Sequence, residues 1–347
     1  MFAVKRETRA FPDRWDFTPR PVWAIVLSLF FVSIPERHRV KRSRALQFQL
    51  EYIALLVMAA VVRHLPRTFV LWGGQCLGRL AGWVQPARHR LARHNMQRAF
   101  PEMSSAEVAR NVSRVFAHFG ASSVDMLRLD RFRPGSDDLQ RYFDLSGIDH
   151  IRRAYGYDRG VLFLTGHLGV WEAGNFAMPE LGFPFDVVAK PMKNPRVDTY
   201  VTRLRESHGA RVLDSKKGAR RILKSLQQGR GVAILLDQHI RPPGSVAVDF
   251  FGRKAYTTTA ITNMAMKFQI PVVPIFITRL PDFRYRLSAE APMFLENGAD
   301  SDLIHRNTQL LTDRIEAAAR RDVTQWFWMH KRWRVPEEKA PDDTISA

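Results

Sequence analysis

The chain has 347 residues, 46% of them hydrophobic, which is enough for a packed core and too many for a disordered or low-complexity protein. With 53 Lys and Arg against 34 Asp and Glu, the net charge is +19, which points to a polyanionic partner: nucleic acid, an anionic membrane face or an acidic carrier protein. The single cysteine, Cys76, excludes an intrachain disulfide and a cysteine-based zinc site, and its setting "GGQCLG" reads as packed helix.

Two apolar stretches open the chain, "VWAIVLSLFFVSI" (22–34) and "YIALLVMAAVV" (52–62). The first would be about 20 Å long as a helix, short of the roughly 30 Å hydrocarbon core. Between them "RHRVKRSR" (37–44) carries five basic residues. The start is basic, but "SIPERHR" lacks the small-residue cleavage site of a signal peptide. The pattern is that of a membrane-associating segment, its apolar faces in lipid and its cations on anionic headgroups. Two buried core helices flanking a solvated charge run is the alternative. The helical pattern continues through residues 65–100. Ser104 and Glu107 then stand in capping-box spacing at the head of an amphipathic helix over 104–129.

From about residue 145 strands and helices alternate. "GVLFLT" (160–165), "FDVVAK" (185–190), "ARVLD", "GVAILLD" (231–237) and "PVVPIFITRL" (271–280) read as strands, followed by an alternating strand in "RYRLSAEAP". A helix is expected from about Val170, and further helices over 194–209, 217–229, 257–269 and 302–321. Such alternation predicts an α/β fold: a largely parallel central sheet, flanking helices and a helical, membrane-associating N-terminal segment. The expected division is 1–90 for that segment, 91–335 for the α/β domain and 336–347 for a frayed tail.

Ligands in open α/β sheets gather beyond the carboxyl ends of the strands, where both His167 and Asp237 fall. In "TGHLGVWEAG" (165–174), His167 and Glu172 would lie about 140° apart on a regular helix and would not converge. Gly166 and Gly169 permit a turn from which Glu172, in the first helical turn, folds back onto the imidazole. A carboxylate on one ring nitrogen fixes the tautomer and leaves the other nitrogen as a base. The free N–H groups of the helix start would suit an oxyanion or a phosphate. Asp237 and His239 in "LLDQHIRP" raise a metal reading, but no compact HExxH-type spacing supports it, and no metal or cofactor is expected. The sequence has no G-x-S-x-G, Walker A or G-x-G-x-x-G motif.

"GVLFLTGHLGVWEAG", "AKPMKNPRVDTYVTRLRESHGARVL", "AILLDQHIRPPGSVAVDFFGRKAYTTTAITNMAMKFQIPVVPIFI" and "QWFWMHKRWR" together resemble the lipid A biosynthesis (lauroyl/myristoyl) acyltransferases, within the wider lysophospholipid acyltransferase superfamily. The match runs in order from roughly Leu50 to Arg334. The resemblance implies an acyltransferase that moves a fatty acyl chain from acyl carrier protein or coenzyme A to a hydroxyl of a lipid, on the cytoplasmic face of the inner membrane. It assigns His167 as general base and Glu172 as its orienting carboxylate. Lys190, Asn194, Arg196 and Arg241 are expected at the acceptor's polar headgroup, with Asp237 orienting one of these cations. Lys190 stands where that family usually has Arg, which keeps a cation but loses the bidentate fork.

A nucleic-acid-binding protein is the rival from another class, but the basic residues are spread along the chain and no nucleic-acid motif occurs. A non-catalytic membrane scaffold is a third reading, opposed by the intact His167–Glu172 motif. "WFWMHKRW" fits either a membrane interface or a packed C-terminal core.

Overall fold

The computed structural model describes residues 41–215, 218–298 and 301–334. The apolar stretch 22–34, the basic run up to residue 40 and the tail 336–347 lie outside these.

Four helices come first: α1 (Lys41–His64), α2 (Arg67–Val84), α3 (Pro86–Ala99) and α4 (Ser105–Met126). The expected capping box closes on α4, where Ser104 Oγ accepts from the Glu107 N–H and the Glu107 carboxylate accepts from the Ser104 N–H. Helices α2 and α4 cross closely because small residues line the contact. A Cβ on Gly78 would sit 2.1 Å from the Phe116 carbonyl oxygen, so no larger side chain fits there.

After a short helix α5 (Asp138–Tyr142) come β1 (Phe143–Ser146), α6 (Ile148–Tyr155), β2 (Val161–Thr165), α7 (Gly174–Glu180), β3 (Phe185–Ala189), α8 (Pro195–Glu206), β4 (Arg211–Asp214), α9 (Gly218–Gln227) and β5 (Gly231–Leu235). A hairpin, β6 (Ser245–Phe250) and β7 (Arg253–Thr258), precedes α10 (Ala260–Phe268), β8 (Val272–Arg279), β9 (Tyr285–Ala289) and α11 (Ser301–Arg321). Seven strands form one sheet in the order β1-β9-β8-β2-β5-β3-β4, parallel throughout except for the antiparallel β8–β9 pair. The mixed α/β architecture with a largely parallel sheet is the one the alternation predicted.

Every residue of β2 is buried, the mark of a strand covered on both faces. Alternate side chains divide the core in two. Leu162, Leu164, Val232, Ile234 and Phe276 pack with α4 and the aromatic segment 326–329 on one side. Val161, Phe163, Ala233, Val273 and Ile275 pack on the other side, together with Leu55, Val62, Val70 and Leu71 of α1 and α2. The N-terminal helices thus share buried surface with the sheet.

Two elements differ from expectation. Thr257 and Thr258 belong to β7 rather than to a helix, and α10 starts at Ala260. The β6–β7 hairpin turns through Phe251 and Gly252, both at positive φ, as a two-residue hairpin turn requires. A Phe-Gly pair lacks the Asn or Asp that usually announces such a turn, so no local signal marks it. "WFWMHKRW" is core: Trp326, Trp328, Met329 and Arg332 are fully buried.

Candidate active site

Strands β2 and β5 pair in register with Thr165 opposite Leu235. Two residues beyond each strand end, His167 therefore meets Asp237. The imidazole Nδ1 lies 2.7 Å from Asp237 Oδ1, and the His167 backbone N–H donates to Asp237 Oδ2 at 2.8 Å. The Trp326 indole N–H donates to the same oxygen at 2.9 Å. Burial works to raise the Asp237 carboxyl, but the facing His167, its two hydrogen bonds and the Trp326 indole outweigh it and hold the group down at about 2. An ionised Asp237 accepts the hydrogen bond of Nδ1–H, so Nε2 carries the lone pair. Gln238 Nε2 stands 3.0 Å from that nitrogen. The His167 side chain keeps 22% of its exposure between the rings of Trp171 and Phe327.

The turn that presents His167 is tied on several sides. The His167 carbonyl accepts from the Phe327 N–H, the Gly169 N–H donates to Gln325, and the Val170 N–H donates to Ile277 of β8. The Gly169 carbonyl meets His118 Nε2 of α4 at 3.0 Å. Gly169 has φ +63, and a Cβ there would lie 2.0 Å from the Ile277 carbonyl oxygen, so the position is closed to other residues.

This tight reversal corrects the expected pairing of His167 with Glu172. The chain leaves Gly169 over the end of β8 and enters a short 3₁₀ turn, Trp171–Ala173, which directs Glu172 toward α8 instead. There the carboxylate receives two hydrogen bonds from Arg205, at 2.9 and 2.6 Å, and one from Asn175 at 3.0 Å. The carboxylate on the imidazole is that of Asp237. Ahead of the helical turn, the Leu168, Gly169 and Val170 N–H groups are bound to the Gly166, Gln325 and Ile277 carbonyls.

The other expected residues are dispersed. Asn194 caps α8 through the Arg196 N–H and donates to the Phe48 carbonyl and Glu51 of α1; Arg196 donates to Gln49. Both hold α1 against α8, a use no local pattern announced. Lys190 and Arg241 are exposed. His239 donates its N–H to His330 Nε2, whose burial pushes that imidazole down to about 3 and leaves it a neutral acceptor. Among the described residues no group of three or more His, Cys, Asp or Glu is placed to share a metal ion.

Sequence reasoning passed over Gln238, Trp326 and Arg205. Gln238 sits beside Asp237 at the end of β5, so its position beyond a strand end was a usable signal. Trp326 lies 89 residues from Asp237, and only the packed fold brings them together.

The largely parallel sheet holds a carboxylate-bound imidazole at its carboxyl edge, where α/β enzymes gather their ligands. The chain belongs to the bacterial lipid A biosynthesis acyltransferase family, whose profile matches residues 36–335. It is an acyltransferase acting toward a lipid acceptor. It is similar to a lipid A biosynthesis lauroyltransferase of Escherichia coli (strain K12), 27% identical over 85% of this chain and 94% of that one. A palmitoleoyltransferase of lipid A biosynthesis from the same organism is 25% identical over 78% of this chain and 87% of its own. Among solved structures, the 1-acyl-sn-glycerophosphate acyltransferase PlsC from Thermotoga maritima aligns over 69% of this chain and 94% of that one, at 15% identity and a TM-score of 0.32.

Proposed function

We propose that the enzyme transfers a fatty acyl chain from a thioester, carried on acyl carrier protein or coenzyme A, to a hydroxyl of a lipid A precursor or a related glycolipid or lysophospholipid. His167 is the base and Asp237 its orienting carboxylate. The observation that carries this reading is the 2.7 Å contact between His167 Nδ1 and Asp237, with Nε2 directed away from the carboxylate. An alkoxide is not available at neutral pH, so Nε2 removes the acceptor's hydroxyl proton as its oxygen attacks the thioester carbonyl carbon. The ionised Asp237 stabilises the imidazolium that forms. Collapse of the tetrahedral intermediate breaks the C–S bond, and the imidazolium returns its proton to the leaving sulfur. Exposed Lys190 and Arg241 serve the acceptor's anionic headgroup. With a cytoplasmic thioester as donor, the reaction in this reading runs on the cytoplasmic face of the inner membrane.

The test is single-turnover transfer from a panel of acyl thioesters to a lipid A precursor in detergent. His167→Ala should lower the rate by about 10²–10⁴, which is roughly 3–5 kcal/mol of barrier. Asp237→Asn should lower it through loss of the tautomer lock. A folded His167→Ala protein at near-normal rate sinks the mechanism.

A further inference from the structure

The nitrogen that must accept the acceptor's proton is already in contact with a side chain. With Nδ1–H given to Asp237, His167 Nε2 is a pure acceptor, so the Gln238 atom 3.0 Å away must be its amide N–H. A hydroxyl cannot donate to the same lone pair while that amide is on it. One must replace the other.

Backbone ties leave little else of Gln238 to move. It directly follows Asp237, which holds three hydrogen bonds, and its own carbonyl accepts from the buried Arg332 at 3.4 Å. One residue before Asp237, the Leu236 N–H donates to the Thr165 carbonyl at 3.0 Å, fixing the strand end. Displacement is therefore a side-chain rotation about a fixed backbone. The attacking oxygen would sit about 2.6–3.2 Å from Nε2, and the thioester carbonyl one bond further on. A rotated Gln238 amide stays within that neighbourhood. The tetrahedral oxygen forming there needs a donor, and the three turn amides Leu168, Gly169 and Val170 are already spent.

We propose that Gln238 is a third catalytic group, resting on the base nitrogen, yielding it to the acceptor hydroxyl and then donating its amide N–H to the oxyanion of the tetrahedral intermediate. This rests on the reading of His167 as the base. The amide neither gains nor loses a proton. It donates one hydrogen bond to Nε2 before attack and one to the oxyanion after it.

The experiment uses the full chain in detergent, with acyl thioester donor and lipid A precursor as probes, and separates kcat from KM. Gln238→Ala should lower kcat by about 10²–10³, the usual effect of losing one oxyanion donor, while KM for each substrate moves only a few-fold. Gln238→Glu keeps the shape but has only acceptors and a charge of the wrong sign, so it should be at least as slow. Gln238→Met removes the donor while keeping the stem, and it reads the same quantity should the other variants not fold. A kcat within threefold of the parent for any folded variant overturns the proposal. A rise in kcat/KM for Gln238→Ala also overturns it, because the amide would then be only a plug. His167→Ala measured alongside separates the two failures. If it too keeps its rate, the base assignment falls; if only the Gln238 variants do, this inference alone falls.

Discussion

Glu172 and Asp237 are both buried carboxylates beside the same turn, and each faces a different partner. Asp237 holds His167, while Glu172 is bonded twice to Arg205 and once to Asn175. Both side chains of the Glu172–Arg205 pair are largely buried, at 7% and 13% exposure, so removing one partner strands an uncompensated charge. Glu172→Gln should therefore destabilise the fold by about 3–5 kcal/mol. A double-mutant cycle followed by chemical unfolding should find strong coupling between positions 172 and 205. Between 172 and 167 the coupling should stay within about 0.5 kcal/mol, as for sites without a shared contact. Coupling of the opposite pattern would restore Glu172 as the partner of the imidazole.

Helix α4 shows how an element enters the site without belonging to it. Its pattern was legible, including the cap, but it is buried at every position from Val115 to Met126, far more than an amphipathic surface helix. His118, on that buried length, bonds the Gly169 carbonyl and so braces the turn that carries His167. Burial, reinforced by the charge of Arg279, pushes this imidazole down to about 4; the Gly169 carbonyl and Asp322 oppose the shift without reversing it. The folded ring stays neutral where the unfolded one, near 6.5, has taken a proton. Its contribution to stability is complete above pH 6.5 and is lost as pH falls from there through 4. The loss is at most about 1.4 kcal/mol per pH unit and about 3 kcal/mol in total. Thermal unfolding between pH 7.5 and 4.5 should show that slope, and His118→Gln, which keeps a donor without a titration, should flatten it. An unchanged slope in His118→Gln would assign the acid sensitivity to other groups, such as buried His330.

At the scale of the molecule, the exposed large apolar side chains among the described residues are concentrated on α1 and α2. Residues Arg44–His64 are long and apolar enough to cross a membrane by length and composition, and most of them are not buried. Phe69, Trp72 and Trp83 of α2 stand 68%, 61% and 86% exposed. Large aromatics in water beside such a helix fit an interfacial belt, where one side of the protein meets lipid. Chain-wide excess charge would add attraction to anionic headgroups that salt screens within about 8 Å. The full-length protein should therefore stay in the membrane fraction through a high-salt wash and leave it in detergent. Release by salt alone would mean that the apolar surface on α1 and α2 does not enter lipid. A Phe69→Glu, Trp72→Glu, Trp83→Glu variant should bind anionic vesicles more weakly than the parent.

The alternation of strands and helices from β2 to β5, the later β8, β9 and α11, the all-buried β2, the cap of α4 and the identity of His167 as a residue beyond a strand end were all determined by local sequence. Each is set by periodicity, turn chemistry or capping over a few neighbouring residues. The expected fold of Glu172 back onto His167 was an inference across five positions, and it failed because Gly169 reverses over Ile277, a contact no local pattern encodes. Asp237, Gln238 and Trp326 lie 70, 71 and 159 residues from His167 along the chain. They meet only because the β2–β5 register sets Thr165 against Leu235 and the aromatic C-terminal segment packs under both strand ends. Sequence supplied His167; sheet register and core packing chose its partners.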